Sequence, residues 1–176
     1  MSGGLERGRR GMLVPAPLLA YTEVLDQGGS STMPERTLMD IIARQDLLQV
    51  GSGATVTEAV RQMDARNVAA MLVIDKGKLL GIFTERDLLK RVVAKGRDAT
   101  TTKVADVMTP DPIVIKAEAH PVDAMRAMRE HGFRHLPVAR GGKVMGIVSI
   151  RDFVGEEIAA FEREVDFREQ LWEHTG

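Results

Sequence analysis

Two short stretches of the chain carry residue types that could do chemistry. Thr84-Glu85-Arg86-Asp87 and Ser149-Ile150-Arg151-Asp152 each place a hydroxyl, a guanidinium and a carboxylate within four positions. A hydroxyl followed three residues later by a carboxylate, where a strand turns into a helix, is a capping-box arrangement. Capping alone accounts for these residues. The same spacing also suits a nucleotide. Free N–H groups at a helix start favour phosphate, and a hydroxyl there adds a contact. A carboxylate one turn on can accept hydrogen bonds from both hydroxyls of a ribose. Arg86 and Arg151 are either solvated helix residues paired with nearby acids or partners for phosphate charge.

Other chemistry finds little support. His131 and His135 are four apart, but Gly132 breaks the helix between them, so they do not share one face as metal ligands. His120 has no cluster of ligating residues nearby, and His174 lies at the C-terminal end. No local motif suggests a Ser-His-Asp arrangement. Neither a P-loop nor Gly-x-Gly-x-x-Gly is present. The chain has no cysteine, which rules out disulfides, thiolate metal sites and cysteine nucleophiles. No catalytic residue, catalytic cofactor or metal is therefore expected, and the chain reads as a non-enzyme.

The bulk numbers agree with a soluble binding module. The 176 residues are 44% hydrophobic and 28% charged, enough for one domain or two small ones sharing a core. With 4% aromatic residues and ten Met, the core must be built mainly from Val, Ile, Leu, Met and Ala. A net charge of −1 argues against a generic binder of nucleic acid or anionic membrane. No run approaches the ~20 apolar residues of a membrane helix. Arg7, Arg9 and Arg10 precede the apolar run Met12–Ala20, which resembles a weak signal peptide, but Pro15 and Pro17 interrupt it. The bland reading is a loosely packed tail over residues 1–36 in a cytoplasmic protein, with Met33 as an alternative start.

The elements that must position the two motifs are duplicated. Gly81-Ile82-Phe83-Thr84-Glu85-Arg86-Asp87 is echoed by Gly146-Ile147-Val148-Ser149-Ile150-Arg151-Asp152, 65 positions later. At that offset Ala54–Leu88 lies over Ala119–Phe153 without a gap, with 11 of 35 positions identical. Unrelated segments would share about two, so this is a true internal repeat. One extra residue extends the match upstream, pairing 38–42 with 104–108. Each copy reads as a short helical lead-in followed by β-α-β-β-α. The first helix runs from Thr57, as its cap, to Arg66, or from Val122 to Glu130 between Pro121 and Gly132. A hairpin follows, 70–74 and 79–83 in one copy, 136–139 and 144–148 in the other. Its turns are Asp75-Lys76-Gly77-Lys78 and Arg140-Gly141-Gly142-Lys143. The closing helix starts at Glu85 or at Ile150. Leu47–Val50 and Ile113–Ile115 read as short strands. One such unit leaves a hydrophobic face uncovered, and two can bury theirs together with pseudo-two-fold symmetry.

This pattern resembles the CBS domain, named after cystathionine β-synthase, which occurs in tandem pairs. The resemblance covers roughly residues 37–155. It rests on Asp106-Val107-Met108-Thr109-Pro110, on Arg134-His135-Leu136-Pro137-Val138, and on the Gly-hydrophobic-hydrophobic-Thr/Ser-x-x-Asp motif present twice. Copy one lacks Met-Thr-Pro, departing from it around Ala43-Arg44-Gln45, and lacks the Arg-His-Leu-Pro-Val signature. The resemblance implies an α/β fold of the α+β type, with repeat 1 over 37–98 and repeat 2 over 99–155. It implies adenine nucleotides or related adenosyl compounds (AMP, ADP, ATP, NAD or S-adenosylmethionine) bound in two clefts between the repeats. Asp87 and Asp152 would then hold ribose, and Thr84 and Ser149 would lie near phosphate. Arg86, Arg151, Arg134 and His135 would balance charge. Ile41 and Ile42 would line the adenine slot of copy one, and Val107 and Met108 that of copy two. The fuller signature favours copy two.

Past the repeat, Val154, Ile158, Phe161, Val165, Leu171 and Trp172 continue an apolar stripe. Continuous from Ile150 to His174, that helix would be about 37 Å long. Residues 156–176 thus form a helical extension that either contacts a partner or packs along its own domain. The resemblance implies homodimers formed through helices. The expected function is a stand-alone regulatory sensor that signals to a separate effector protein or through self-association. Its rivals are a structural dimer or interaction scaffold with vestigial clefts and, behind it, a nucleic-acid binder.

Overall fold

The computed structural model describes residues 36–173, and side chains as far as residue 166. These lie within a unit spanning Met33–Gly176. The expectation for the N-terminal tail falls outside the described residues.

The first repeat contains α1 (Leu38–Ile42), β1 (Gln49–Val50), α2 (Val56–Ala65), β2 (Ala70–Asp75) and β3 (Lys78–Thr84). A closing helical segment, α3, begins at Glu85–Asp87 and continues through a π-helical turn, Leu88–Val92, and a 3-10 turn, Val93–Lys95. Gly96 ends it with φ 61°, a conformation glycine adopts without strain. The second repeat contains β4 (Thr109–Pro110), β5 (Ile115–Lys116), α4 (Pro121–His131), β6 (His135–Arg140), β7 (Lys143–Ser149) and α5 (Gly155–Glu173).

Each hairpin folds where the turn chemistry places it. Gly141 and Gly142 both have positive φ, and in copy one Lys76 takes the first of these positions at φ 49° beside Gly77. Two consecutive positive φ values match the twist of the flanking strands. The helix of copy one starts earlier than expected. Thr55, not Thr57, is the cap, and its hydroxyl accepts from the Glu58 amide at 3.2 Å while the Glu58 carboxylate accepts from the Thr55 amide at 2.8 Å. In copy two Pro121 opens α4, and Gly132, at φ 70°, closes it.

Alternation along β2 sends Met71 and Val73 to one side of the sheet and Ala70 and Leu72 to the other. Met71, Val73 and Phe83 pack with Val56, Ala59 and Met63 of α2 in the first core. Leu136, Val138 and Val148 pack with Ala124, Met125 and Met128 of α4 in the second. Ala70, Leu72 and Ile82 meet Val144 and Ile147 in a third cluster, through which the two sheets bury their remaining faces against each other.

The lead-in segments are exchanged between the repeats. Leu38 and Ile42 of α1 are buried in the second core, where the Leu38 and Met39 amides donate to the Ala119 and Ala117 carbonyls. Val104 and Val107 are buried in the first core. β4 adds to the first sheet, giving the order β1-β2-β3-β4, whereas the second sheet is β5-β6-β7. Where Thr109 pairs with Ile82 along β4, the second sheet has only the side chain of Gln45, whose Oε1 accepts from the Ile147 amide at 3.3 Å.

The closing helix of copy two does not run on from Ile150. Ile150–Asp152 is a single 3-10 turn, and Phe153 is extended (φ −85°, ψ 139°). Its side chain is buried in the second core, which takes the chain out of helical register. α5 restarts at Gly155, with the Glu157 carboxylate accepting from the Val154 amide at 2.8 Å. Phe161 packs on the second core. Arg126 of α4 clamps Glu164 with both carboxylate oxygens at 2.6 Å. As far as its side chains are described, the extension packs along its own domain.

Candidate functional site

Two clefts lie where the repeats face each other. The first, of about 470 Å³, is lined by Thr84, Arg86, Asp87, Thr109, Ile113, Phe133 and Arg134, among others. The second, of about 730 Å³, is lined by Ser149, Arg151, Asp152, Leu47, Arg66, Val68 and Arg134, among others. The correspondence follows the repeat: Thr84/Ser149, Arg86/Arg151, Asp87/Asp152 and Phe133/Val68 are each 65 apart. Glu85, Arg134 and His135 line both, so the two expected charge partners, Arg134 and His135, stand on a shared wall.

The apolar residues expected in the adenine slots are elsewhere. Ile42 and Val107 are buried in the cores, and Ile41 and Met108 pack against those cores without lining either cleft. Their allocation is also crossed. Met108 of copy two stands over Gly81, and Ile42 of copy one stands over Gly146. Ile82 and Ile113 in the first cleft, and Ile147 and Leu47 in the second, supply apolar wall instead. The exchange of lead-in segments is the physical reason. It puts residues just after α1 on the second cleft and residues just after β4 on the first.

The two carboxylates have different surroundings. Asp87 is 6% exposed. Its Oδ2 accepts from the Thr84 amide at 3.0 Å and from the Thr84 hydroxyl at 2.7 Å. Its Oδ1 accepts from the Thr109 hydroxyl and lies 3.3 Å from Arg91. Arg91 also donates to the carbonyls of Val107 and Met108, tying α3 to the lead-in of copy two. Arg86 donates to the Gly132 carbonyl at 3.1 Å. Asp152 is only half-buried. Its Oδ2 accepts from the Ser149 amide at 2.6 Å. Its other oxygen has no hydrogen bond or ion pair among the described residues.

Charge in the second cleft is also available. The guanidinium groups of Arg66, Arg134 and Arg151 line it with no hydrogen bond or ion pair among the described residues. Asp46 and Glu85 line it too, and neither forms an ion pair among the described residues. Burial, reinforced by Arg134 and Arg151, pushes the His135 imidazole below its usual range against the pull of Asp152 and Glu85. One expectation changes. With only a three-residue 3-10 turn after Ser149, no helix follows this motif directly. Arg66 is a residue that repeat matching did not find, because its counterpart in the first cleft is His131. A lone cation after α2 carries no signal until the fold brings it to the cleft.

Among the described residues, no group of three or more acidic or histidine side chains could hold a metal ion, and no helix is long and apolar enough to cross a membrane.

Comparison with known proteins bears on both fold and family. The CBS domain family matches residues 38–94 and 104–158. The CBS domain-containing protein CBSCBSPB1 of Arabidopsis thaliana is 32% identical over 164 residues, which is 93% of this chain and 28% of that protein. The chain thus spans about a quarter of the length of the first curated relatives it matches. Among solved structures, a CBS-domain containing protein from Agrobacterium tumefaciens is 32% identical with a TM-score of 0.63, covering 71% of this chain and 98% of that one. A hexameric CBS-CP12 protein from bloom-forming cyanobacteria is 26% identical with a TM-score of 0.62, covering 67% of this chain and 66% of that one. A CBS domain protein from Pyrobaculum aerophilum complexed with AMP shares the fold, with a TM-score of 0.65 at 22% identity over 73% of this chain and 98% of that one. Two matched segments, two pseudo-symmetric repeats and two facing clefts agree: the chain belongs to the CBS domain family, as a tandem pair.

Proposed function

We propose that the protein is a regulatory module that binds an adenine nucleotide or related adenosyl compound in the second cleft and passes occupancy on as a change of conformation or assembly. The observation that carries this reading is the second oxygen of Asp152, which has no partner among the described residues, in a cleft that also holds three guanidinium groups unpaired among those residues. A ribose offers two adjacent hydroxyl donors, and a carboxylate oxygen with open lone pairs accepts them. Leu47, Val68 and Ile147 supply apolar wall for a base, and Arg66, Arg134 and Arg151 meet phosphate charge. A protein of the same fold is complexed with AMP, which supports an adenosine-bearing ligand. The role in this reading is binding without turnover. A sensor needs only different affinities in two states.

Assembly is the natural output. Leu89 and Val93 are 61% and 62% exposed, and their repeat counterparts Val154 and Ile158 are 50% and 41% exposed. The two repeats therefore present matching apolar pairs to solvent, a surface suited to a second copy in a homodimer. A separate effector protein would read the assembled state. The cysteine-free sequence suits the cytoplasm.

Isothermal titration with AMP, ADP, ATP, NAD and S-adenosylmethionine tests the reading. The expected result is binding of at least one of them, weakened tenfold or more by Asp152→Ala. A folded protein that binds none would leave the scaffold reading, with Ser149–Asp152 as a backbone cap.

A further inference from the structure

We infer that Arg91 and Thr109 decide which cleft takes a ligand: they occupy the ribose-acceptor oxygen of the first cleft from within the chain, leaving one ligand site per polypeptide. The inference rests on the reading of Asp152 as a ribose acceptor and extends it to its repeat counterpart.

The same carboxylate stands in the same motif twice, yet only one has an oxygen to offer. Around Asp87, Thr84 holds one oxygen through its amide and hydroxyl. The Arg91 guanidinium and the Thr109 hydroxyl hold the other. The hydroxyl is the kind of donor that a sugar edge would bring, and the guanidinium is an ion-pair partner at 3.3 Å. Arg91 sits one helical turn after Asp87 and reaches back to it because α3 stays helical there. It is anchored at its far end by the Val107 and Met108 carbonyls, so it is not a loose surface side chain free to swing away.

Neither partner has an equivalent at Asp152. The residue four positions on is Glu156, and the extended Phe153 has already taken the chain out of the helix. Ile42 stands over Gly146 as Met108 stands over Gly81, so the position of Thr109 falls to Ala43, which has no hydroxyl. The repeat has thus diverged at the two positions that fill or free the carboxylate. A ligand entering the first cleft must displace a guanidinium from a 6% exposed carboxylate, whereas one entering the second meets an Asp152 oxygen with no side-chain partner among the described residues.

The test is stoichiometry. AMP and ATP are each titrated into the full chain by calorimetry, with Asp87→Ala, Asp152→Ala and the triple variant Asp152→Ala/Arg91→Ala/Thr109→Ala alongside. The expected results are one site per chain in the wild type, an affinity unchanged within twofold in Asp87→Ala, and loss of binding in Asp152→Ala. The triple variant, which vacates the first carboxylate, should regain one site. Two equal sites in the wild type, or binding lost in Asp87→Ala and kept in Asp152→Ala, would overturn the inference while leaving nucleotide binding intact. A folded triple variant that regains nothing would do the same. Should the triple variant fail to fold, the wild-type count and the two single variants still decide. A wild type that binds neither nucleotide would remove the ribose reading itself, and this inference with it.

Discussion

Replacing Gly81 with alanine tests whether the two repeats are interlocked as described. Gly81 lies in β3 at an ordinary strand conformation, so the substitution adds no backbone strain, only one methyl. That methyl would lie 2.8 Å from the Thr109 carbonyl oxygen and 2.9 Å from Met108 Cγ, with Met108 Sδ closer still. Ordinary contacts begin near 3.4 Å. Thr109 cannot withdraw freely, because β4 is held to β3 at Gly81↔Pro110 and Ile82↔Thr109. Overpacking of this kind costs about 1–3 kcal/mol. Alanine also restricts the unfolded chain, which returns about 0.4–1 kcal/mol. The net expectation is a loss of about 1–2 kcal/mol, or a Tm lower by about 2–8 °C for a chain of 176 residues. Urea denaturation followed by circular dichroism reads it. Met108→Ala in the same chain should recover part of the loss, since it clears Sδ and Cγ but not the carbonyl, leaving a coupling of about 0.5–1.5 kcal/mol. A Gly81→Ala protein as stable as wild type, or more so, would refute the close approach of β4 to β3 and with it the exchange of lead-in segments.

Three further outcomes follow from the same geometry. Leu89→Glu combined with Ile158→Glu should convert an assembled form to monomer in light scattering, and an unchanged mass would place the contact elsewhere. Arg126→Ala should lower stability by about 1–2 kcal/mol, through loss of a half-buried two-pronged ion pair with Glu164, and should speed hydrogen exchange in α5. Unchanged exchange there would show that other contacts, such as Phe161 on the second core and the Arg36–Glu157 ion pair, hold the helix. His135 has its folded pKa depressed, chiefly by burial. The unfolded chain therefore takes up its proton first, and stability should fall as pH drops below about 6.5. His135→Gln should flatten that stretch of the profile. The capping carboxylates Asp40 and Glu58, held low first by the Thr37 and Thr55 amides, act in the same direction at lower pH. Their contribution is present above the ordinary carboxylate range and lost below it.

Much of the fold is legible in the sequence, because turns and repeats are local signals. The Lys76-Gly77 and Gly141-Gly142 turns, the Pro121 start and the Gly132 end each follow from the conformational demands of a few neighbouring residues. What is not legible is which copy a segment packs upon. Matching Ile42 to Met108 shows that they are equivalent, but equivalence is silent on whether each stays with its own repeat. The exchange therefore sets Ile41 and Ile42 against the second core and Val107 and Met108 against the first. The break at Phe153 was hidden for a related reason: the apolar stripe runs on through Val154 and Ile158 at helical spacing, and only burial in the second core reveals that Phe153 leaves the helix. The Thr55-x-x-Glu58 box stands in the sequence two residues before Thr57, and spacing alone leaves either threonine suited to cap the helix. At the site, the paired motifs do face two clefts. The difference between Asp87 and Asp152 comes from Arg91 and Thr109, one of them a helical turn away and the other in the opposite repeat, and no single motif contains them.

The most direct measurement is amide chemical-shift mapping of the full chain during titration with AMP and with ATP. The expected result is that shifts concentrate at Ser149, Arg151 and Asp152, extend to Arg66 and Arg134, and leave Thr84 and Arg86 in place. Shifts gathered on Thr84–Asp87 instead, or none at saturating nucleotide, would contradict a ligand held by Asp152.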